Sequence, residues 1–324
     1  MQNAEIRTPV ILVTGTSSGI GLEIIRKLRL LDTYRVVATA RETSLHKLTE
    51  LGFSESDRFK IRAMDVTSAR DRQRVTEEIY SSWGGVDVLI NNAGISYRAV
   101  VEHMCDDEEL EQMATNYLGA MALIRLALPG MRERHRGHII NISSVGGMMA
   151  MPTMSAYSAS KFALEGASEA LWYELRPWNI HVTLVQPGFI RSDSFRHVYY
   201  SKMSAAGREN PHDPYHPYYA AMAPFVEKLM NRSLSDAESV AGQVVNVMRK
   251  RTPPLRCPAT LDAHLFYWLR RLLPRRIYHR ILYYALPGIR NWGEPGNISQ
   301  RRPGAQADQR SSTAPSALPV TKKE

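Results

Sequence analysis

Val10-Ile-Leu-Val-Thr-Gly15-Thr-Ser-Ser-Gly19-Ile-Gly21 decides how this chain folds. Its first five residues form a continuous, mostly β-branched run of strand length. That is the pattern of a strand buried on both faces of a parallel sheet. Three glycines follow, and apolar residues then recur at helical spacing over about 20–31. Glycines at such a turn let the backbone reverse tightly and approach a ligand closely. The helix that starts there offers unpaired N–H groups and the positive end of its dipole. Strand, glycine-rich turn and helix in that order predict a cradle for a dinucleotide pyrophosphate, with Gly15, Ser17, Ser18, Gly19, Ile20 and Gly21 around the phosphates.

The same alternation continues outward. Strands are predicted at 34–40, 59–64, 86–91, 137–142 and 180–185, and helices at about 68–82, 107–128, 155–175 and 236–251. Strand after helix with right-handed crossovers gives an α/β, Rossmann-like doubly wound parallel sheet with helices on both faces. Its ligand crevice lies at the carboxyl ends of the strands. We read residues 9–258 as this single catalytic domain, after a flexible N-terminus at 1–8. The Tyr-, His- and Pro-rich stretch 188–235 is expected to be an irregular substrate-binding lid. Residues 259–290 read as a basic amphipathic helical extension, and 291–324 as a disordered tail.

The 324 residues suffice for a sizeable core. Two distant cysteines, Cys105 and Cys257, make no disulfide framework and no metal or redox motif. No leader-like apolar run is seen at the start, and no stretch of 18 or more apolar residues suggests a spanning helix, so a cytoplasmic location is expected. Between Arg249 and Arg290 there are ten Lys/Arg and one acid, Asp262, which equals the +9 of the whole chain. Within 261–284, Leu261, Leu265, Trp268, Leu269, Leu272, Leu273, Ile277, Ile281 and Tyr284 recur at helical spacing among Arg270, Arg271, Arg275, Arg276 and Arg280, interrupted by Pro274. Two short amphipathic helices result. They either touch an anionic membrane surface peripherally or pack over the substrate mouth or a second subunit. No nucleic-acid-reading motif accompanies the charge.

Tyr157-Ser-Ala-Ser-Lys161 puts a phenol and an ammonium on one helical face, with Ser144 thirteen residues upstream. A phenol titrates near roughly 10, and a neighbouring cation favours its ionised form. A serine hydroxyl within reach can hold the oxygen of a carbonyl or alcohol. Asn91-Asn-Ala-Gly94 closes the fourth strand, and Thr115-Asn116-Tyr-Leu-Gly119 and Pro187-Gly188 complete the ordered set.

With these motifs the chain resembles the short-chain dehydrogenase/reductase family in its classical branch, over about residues 9–250. Ala159-Ser-Lys-Phe-Ala-Leu-Glu-Gly166 and Pro253-Pro-Leu-Arg256 look most like hydroxysteroid and retinol dehydrogenases. The resemblance implies a catalytic set of Asn116, Ser144, Tyr157 and Lys161. Tyr157 would be the general acid/base and Lys161 would lower its pKa and hold the nicotinamide ribose. Ser144 would bind the reacting oxygen, and Asn116 would hold a water. It also implies cofactor contacts from Asp65, Val66, Asn92, Ala93, Gly94, Pro187, Gly188, Ile190 and Ser192, the last where the family usually has Thr.

The strand ending Val37-Ala-Thr-Ala40 is followed by Arg41, with no acid at its tip to bind a ribose 2′-hydroxyl. NADP(H) is therefore expected, with NAD(H) as the alternative. Substrate walls are expected from Ser96, Ser144, Met149, Met154 and Phe189, with Phe195, Tyr199 and Tyr200 nearby, which suits a hydrophobic alcohol or ketone. The rival readings are reduction of an imine or enoyl bond, or a non-catalytic dinucleotide-binding scaffold. A homodimer or homotetramer through the helices at 107–128 and 155–175 is what the resemblance implies. No metal is expected, His212 and His216 being read as loop residues.

Overall fold

A computed structural model describes residues 7–191 and 198–293. Seven strands form one all-parallel sheet in the order β3-β2-β1-β4-β5-β6-β7. They are β1 Val10–Thr14, β2 Arg35–Ala40, β3 Phe59–Ala63, β4 Val88–Asn91, β5 Gly137–Ile142, β6 Ile180–Gln186 and β7 Arg256–Pro258. The order reverses between β1 and β4, and that switch point is where the crevice opens.

Alternate residues of each strand feed opposite layers. Ile11 and Val13 of β1 pack with Ile24, Ile25 and Leu28 of α1 (Gly19–Leu31) and Val240 and Val244 of α9 (Ala237–Met248). Val10 and Leu12 face the other layer. There they meet Val75 and Ile79 of α3 (Ala69–Trp83), Leu123 and Ile124 of α5 (Gly119–Glu133) and Leu164 of α6 (Ser155–Leu175). The doubly wound α/β class read from the sequence is the observed one.

Four details differ from the sequence reading. The helix expected over 107–128 is α4 (Asp106–Met113), a π-helical turn (Ala114–Leu118) and then α5. At the join, a side chain on Gly119 would run into the Val66 carbonyl. The supposedly irregular 188–235 contains α7 (Lys202–Glu209), capped by the Ser201 hydroxyl, and α8 (His216–Arg232). Pro217 lies in the first turn of α8, where a missing N–H costs nothing. The short edge strand β7 went unseen. Arg7 is not free either: it donates to the Trp83 carbonyl at 2.6 Å and pairs with Asp87 at 2.5 Å. α2 (His46–Glu50) is a single short turn.

The basic extension breaks at Pro274 into α10 (Leu261–Leu272) and α11 (Arg275–Ala285). Their inner faces, including Ala263, Leu269, Leu273 and Tyr278, close over Val145, Met148 and Met149. Leu261, Leu265, Trp268 and Leu272 form an outer stripe on α10, with Leu261 71 % and Leu272 73 % exposed; Ile277, Ile281 and Tyr284 do the same on α11. The tail expected to be disordered lies outside the described residues from 294 onward. Residues 291–293, counted in that tail, are described, and Trp292 stacks on Tyr218 of α8 with centroids 4.3 Å apart, which moves the start of the tail past them.

Candidate active site

The glycine-rich turn is built for close approach. Gly15 has φ +68°, and a side chain there would meet the Ala93 backbone at 2.7 Å. A Cβ on Gly21 would collide with the Gly15 carbonyl and the Asn92 amide. Asn92 Nδ2 donates to the carbonyls of Thr14 and Gly15, both at 2.9 Å. The Thr14 hydroxyl accepts from the N–H groups of Asn92 and Ala93, each at 3.0 Å. Ser18 sits at the N-cap of α1 but its side chain caps no N–H. The first turn of α1 therefore keeps free donors facing the crevice.

The crevice is a cleft of about 1040 Å³. Every expected cofactor residue among those described borders it, apart from Gly21, which is buried beneath the turn. At the tip of β2, Arg41 shares the wall with Ser44 and Lys47. Asp65 is anchored through Thr67, whose N–H and hydroxyl donate to its carboxylate at 2.8 and 2.7 Å. Pro187 accepts from the Val145 N–H at 2.7 Å, which joins the loop after β6 to the turn after Ser144. These features fit a dinucleotide: free helix donors, glycines at the contact points and a cation cluster at the ribose end. Ser192 and Phe195 lie outside the described residues.

Asn116, Ser144, Tyr157 and Lys161 come together beside this cleft. Asn116 lies in the π turn and is 1 % exposed. Such turns, with their displaced backbone bonds, recur at functional sites. Its Nδ2 donates to the Ile95 carbonyl and to Ser160 Oγ, both at 3.0 Å, and its Oδ1 accepts from the Ile95 N–H at 2.8 Å. Ser160 in turn donates to the Tyr157 carbonyl at 2.7 Å. The Asn116 side chain thus braces the 92–95 loop against α6. Ser144 Oγ accepts from the Gly146 N–H at 3.0 Å, so its own proton is available to the Tyr157 phenol beside it or to a bound oxygen.

The electrostatics depart from the sequence expectation. Burial raises the Tyr157 pKa above its ordinary value, opposed by the Ser144 hydrogen bond and by the Arg98 guanidinium. Lys161, expected to lower it, keeps its Nζ 5.9 Å from the Tyr157 ring centroid and donates to the Ile142 carbonyl at 2.9 Å. Burial lowers Lys161 itself to about 8, opposed by Glu165 one turn further along α6. Glu165 is buried, accepts from Ser143 (2.8 Å) and Gln186 (2.7 Å), and meets Arg256 of β7 at 3.4 Å. Arg98, Glu165 and Arg256 were missed in the sequence. Only Glu165, four residues after Lys161, carried any spacing signal.

On the substrate side, Ser96, Met149, Met154, Phe189 and Tyr199 border the cleft, whereas Met148 packs under α10 and α11. Tyr200 borders a small adjoining void. The loop after Pro187 is held from the extension: Gly188 N–H donates to Thr260 Oγ1 at 2.9 Å and Phe189 N–H to the Asp262 carboxylate at 2.8 Å. Among the described residues no three His, Cys, Asp or Glu side chains are grouped to hold a metal, and no helix is long and apolar enough to cross a membrane.

A family model described as short chain dehydrogenase matches residues 9–201. The chain belongs to that family. A 3-ketodihydrosphingosine reductase from Bacteroides thetaiotaomicron is 33% identical over 86% of this chain and 98% of its own length. Human retinol dehydrogenase 8 is 34% identical over 87% of this chain and 93% of its own. A metagenomic short-chain oxidoreductase solved in complex with NADP superposes with a TM-score of 0.58 at 27% identity, covering 78% of this chain and 96% of that one. The protein is an oxidoreductase that works with a nicotinamide dinucleotide.

Proposed function

We propose that the enzyme interconverts a hydrophobic alcohol and its ketone or aldehyde with NADP(H), using Tyr157 as general acid/base. The observation that carries this reading is the meeting of Ser144, Tyr157 and Lys161 at the cleft that also receives the glycine-rich turn. The bound nicotinamide supplies or takes the hydride. Ser144 donates to the substrate oxygen, and Tyr157 delivers the proton to that same oxygen in reduction or removes it in oxidation. Lys161 keeps a positive charge near the phenol and the ribose side of the cleft, and Asn116 keeps the 92–95 loop and α6 in register.

Expected outcome: Tyr157→Phe lowers turnover about 100-fold or more, while NADPH binding followed by fluorescence is nearly unchanged. Substantial remaining turnover would move the acid elsewhere. NADP(H) preference is supported by Arg41, Ser44 and Lys47 around the end of β2. Arg41→Asp should weaken NADPH roughly 10- to 100-fold and NADH far less, as read by equilibrium titration of each. A lipophilic substrate is supported by Met149, Met151, Met154 and Phe189 on the wall and by the lipid-directed names of the two relatives. In this reading 188–235 is the substrate lid, and the exposed face of α10 and α11 rests on an anionic membrane surface. Exposed Leu110, Leu118 and Tyr173 on the 107–128 and 155–175 helices support pairing of subunits there.

A further inference from the structure

Arg98 is a partly buried cation, its Nε shut off from solvent, that the proposed reaction does not use. It follows the Asn91–Gly94 turn, and its backbone N–H donates to the Tyr199 carbonyl at 2.8 Å. Its Nε is fully buried and has no hydrogen-bond partner. A buried guanidinium without a carboxylate is costly, and in folded proteins such groups are normally paired. Arg98 nevertheless borders the main cleft, close enough to Tyr157 for each to bias the charge of the other.

Behind it lies a void of about 10 Å³, also bordered by Thr153, Tyr200, Arg208 and Tyr219. Arg208 is a second cation, its guanidinium 4.1 Å from the Tyr200 ring centroid. No described carboxylate borders the void. The acids nearby are engaged: Glu111 accepts from Tyr97 Oη at 2.6 Å, and Asp213 lies 3.6 Å from His103 and accepts from the Tyr215 N–H at 2.8 Å. Arg98 and the exposed Arg208 therefore meet at this void, beside the substrate cleft, with no carboxylate among the described residues bordering it.

The geometry points to an oxyanion subsite at Arg98: the lipophilic substrate carries a carboxylate or phosphate that this guanidinium holds while the reacting oxygen sits at Ser144 and Tyr157. The placing of the reacting oxygen at Ser144 and Tyr157 rests on the alcohol/ketone reading; the hold of Arg98 on an acid group does not. A planar fork of N–H donors matches two oxygens of one acid group, and in a dry site such a contact is strong. Burial pushes the Arg98 pKa down, and a bound anion would oppose that push. Met149, Met154 and Met230 along the same cleft would take the apolar chain.

The test uses the full chain with NADPH and three dead-end ligands: decanoate, decyl phosphate and decanol. Calorimetry should give one or both anions at least tenfold tighter binding than decanol, and which anion wins identifies the acid group. Arg98→Met should erase the difference and Arg98→Lys should keep part of it. Equal affinity for all three ligands in the native enzyme, a comparison that needs no variant to fold, overturns the subsite. So does a preference that survives in Arg98→Met. NADPH oxidation with 5-oxodecanoate and its methyl ester is then compared. In Arg98→Met the acid's kcat/KM should fall at least tenfold more than the ester's. An equal fall for both, with the alkaline pKa of the rate profile displaced, would make Arg98 a positioning residue for the Tyr157 phenol instead. No oxidation with either ketone, while the anion preference persists, would overturn the placement of the reacting oxygen at Ser144 and Tyr157 for an acid held at Arg98 and leave the subsite standing.

Discussion

Burial holds the Tyr157 phenol above its ordinary value, so at neutral pH the protein alone keeps it as the neutral acid that a ketone reduction consumes. Three groups oppose or surround that dry environment: the Ser144 hydroxyl, the Arg98 guanidinium and, through the backbone at Ile142, the Lys161 ammonium. Lys161 is the titratable member of the set within working range. Its pKa is lowered to about 8, so it carries its proton below that pH and loses it above. Ketone reduction should therefore fall as pH rises through about 8, because the cation near the phenol and ribose disappears. The kcat/KM profile of the native enzyme between pH 6 and 10 checks this. A flat profile past about 9.5 would show that the ammonium is held by something other than its pairing to Ile142 and its distance from Glu165. In Lys161→Arg, whose charge persists, whatever activity remains should lack that limb.

At the scale of elements, the loop after β6 and the start of α10 behave as one unit. Thr260 caps α10 through the Ala263 N–H and at the same time accepts from Gly188, and Asp262 in the first turn of α10 accepts from Phe189. The one acid of the basic segment is thus spent holding the loop after β6 at the edge of the cleft. Asp262→Ala should cost about 2 kcal/mol, the usual worth of a hydrogen bond to a charged group. It should weaken cofactor binding while leaving the α1 end of the cleft intact. Thermal melts with and without NADPH check both effects, and a variant whose melting point and NADPH shift both match the native enzyme would refute the coupling. This unit was not legible in the sequence, which divides the chain at about residue 258. The strands β1 to β6 and the helices around them were legible, because each is a buried run or a clean 3.6-residue period. The π turn at Ala114–Leu118 was not, since one extra residue in a turn leaves the apolar period almost unchanged. α8 hid behind Pro217 and Pro224, and β7 is too short to show any period. Of the site, the Tyr157–Lys161 pair with Ser144 upstream stands out by its spacing, whereas Asn116 and the role of each residue are what the family resemblance implies. Arg98 does not stand out, because a lone arginine in a loop acquires meaning only from its burial and its missing partner.

Over the whole molecule, apolar surface and charge are distributed unequally. The Rossmann body encloses its apolar side chains on both faces of the sheet, whereas α10 and α11 turn a stripe of Leu261, Leu265, Trp268, Leu272, Ile277 and Ile281 to the outside. Arg271, Arg275, Arg276 and Arg280 flank that stripe, while Arg270 turns inward to the Met148 carbonyl and lies over Phe162 at 5.1 Å. Only one face of this helical pair is used by the fold, and the other pairs aromatic and aliphatic groups with cations, the composition that suits an anionic interface. Each such cation contributes about 1 kcal/mol near an anionic surface, and salt screens it over about 8 Å at physiological ionic strength. The full chain should therefore sediment with vesicles containing phosphatidylserine at low salt, bind vesicles of phosphatidylcholine far less, and be released as salt rises. Leu265→Glu with Trp268→Glu should reduce sedimentation several-fold while leaving activity on a water-dispersed ketone intact, since neither side chain reaches the cleft. Point variants are the right instrument, because a chain cut near Pro258 would also lose Thr260 and Asp262 and release the loop they hold. Equal sedimentation of the native and doubly substituted chains would assign the stripe to contact between copies of the enzyme, with the oligomer then expected to dissociate on the same substitutions.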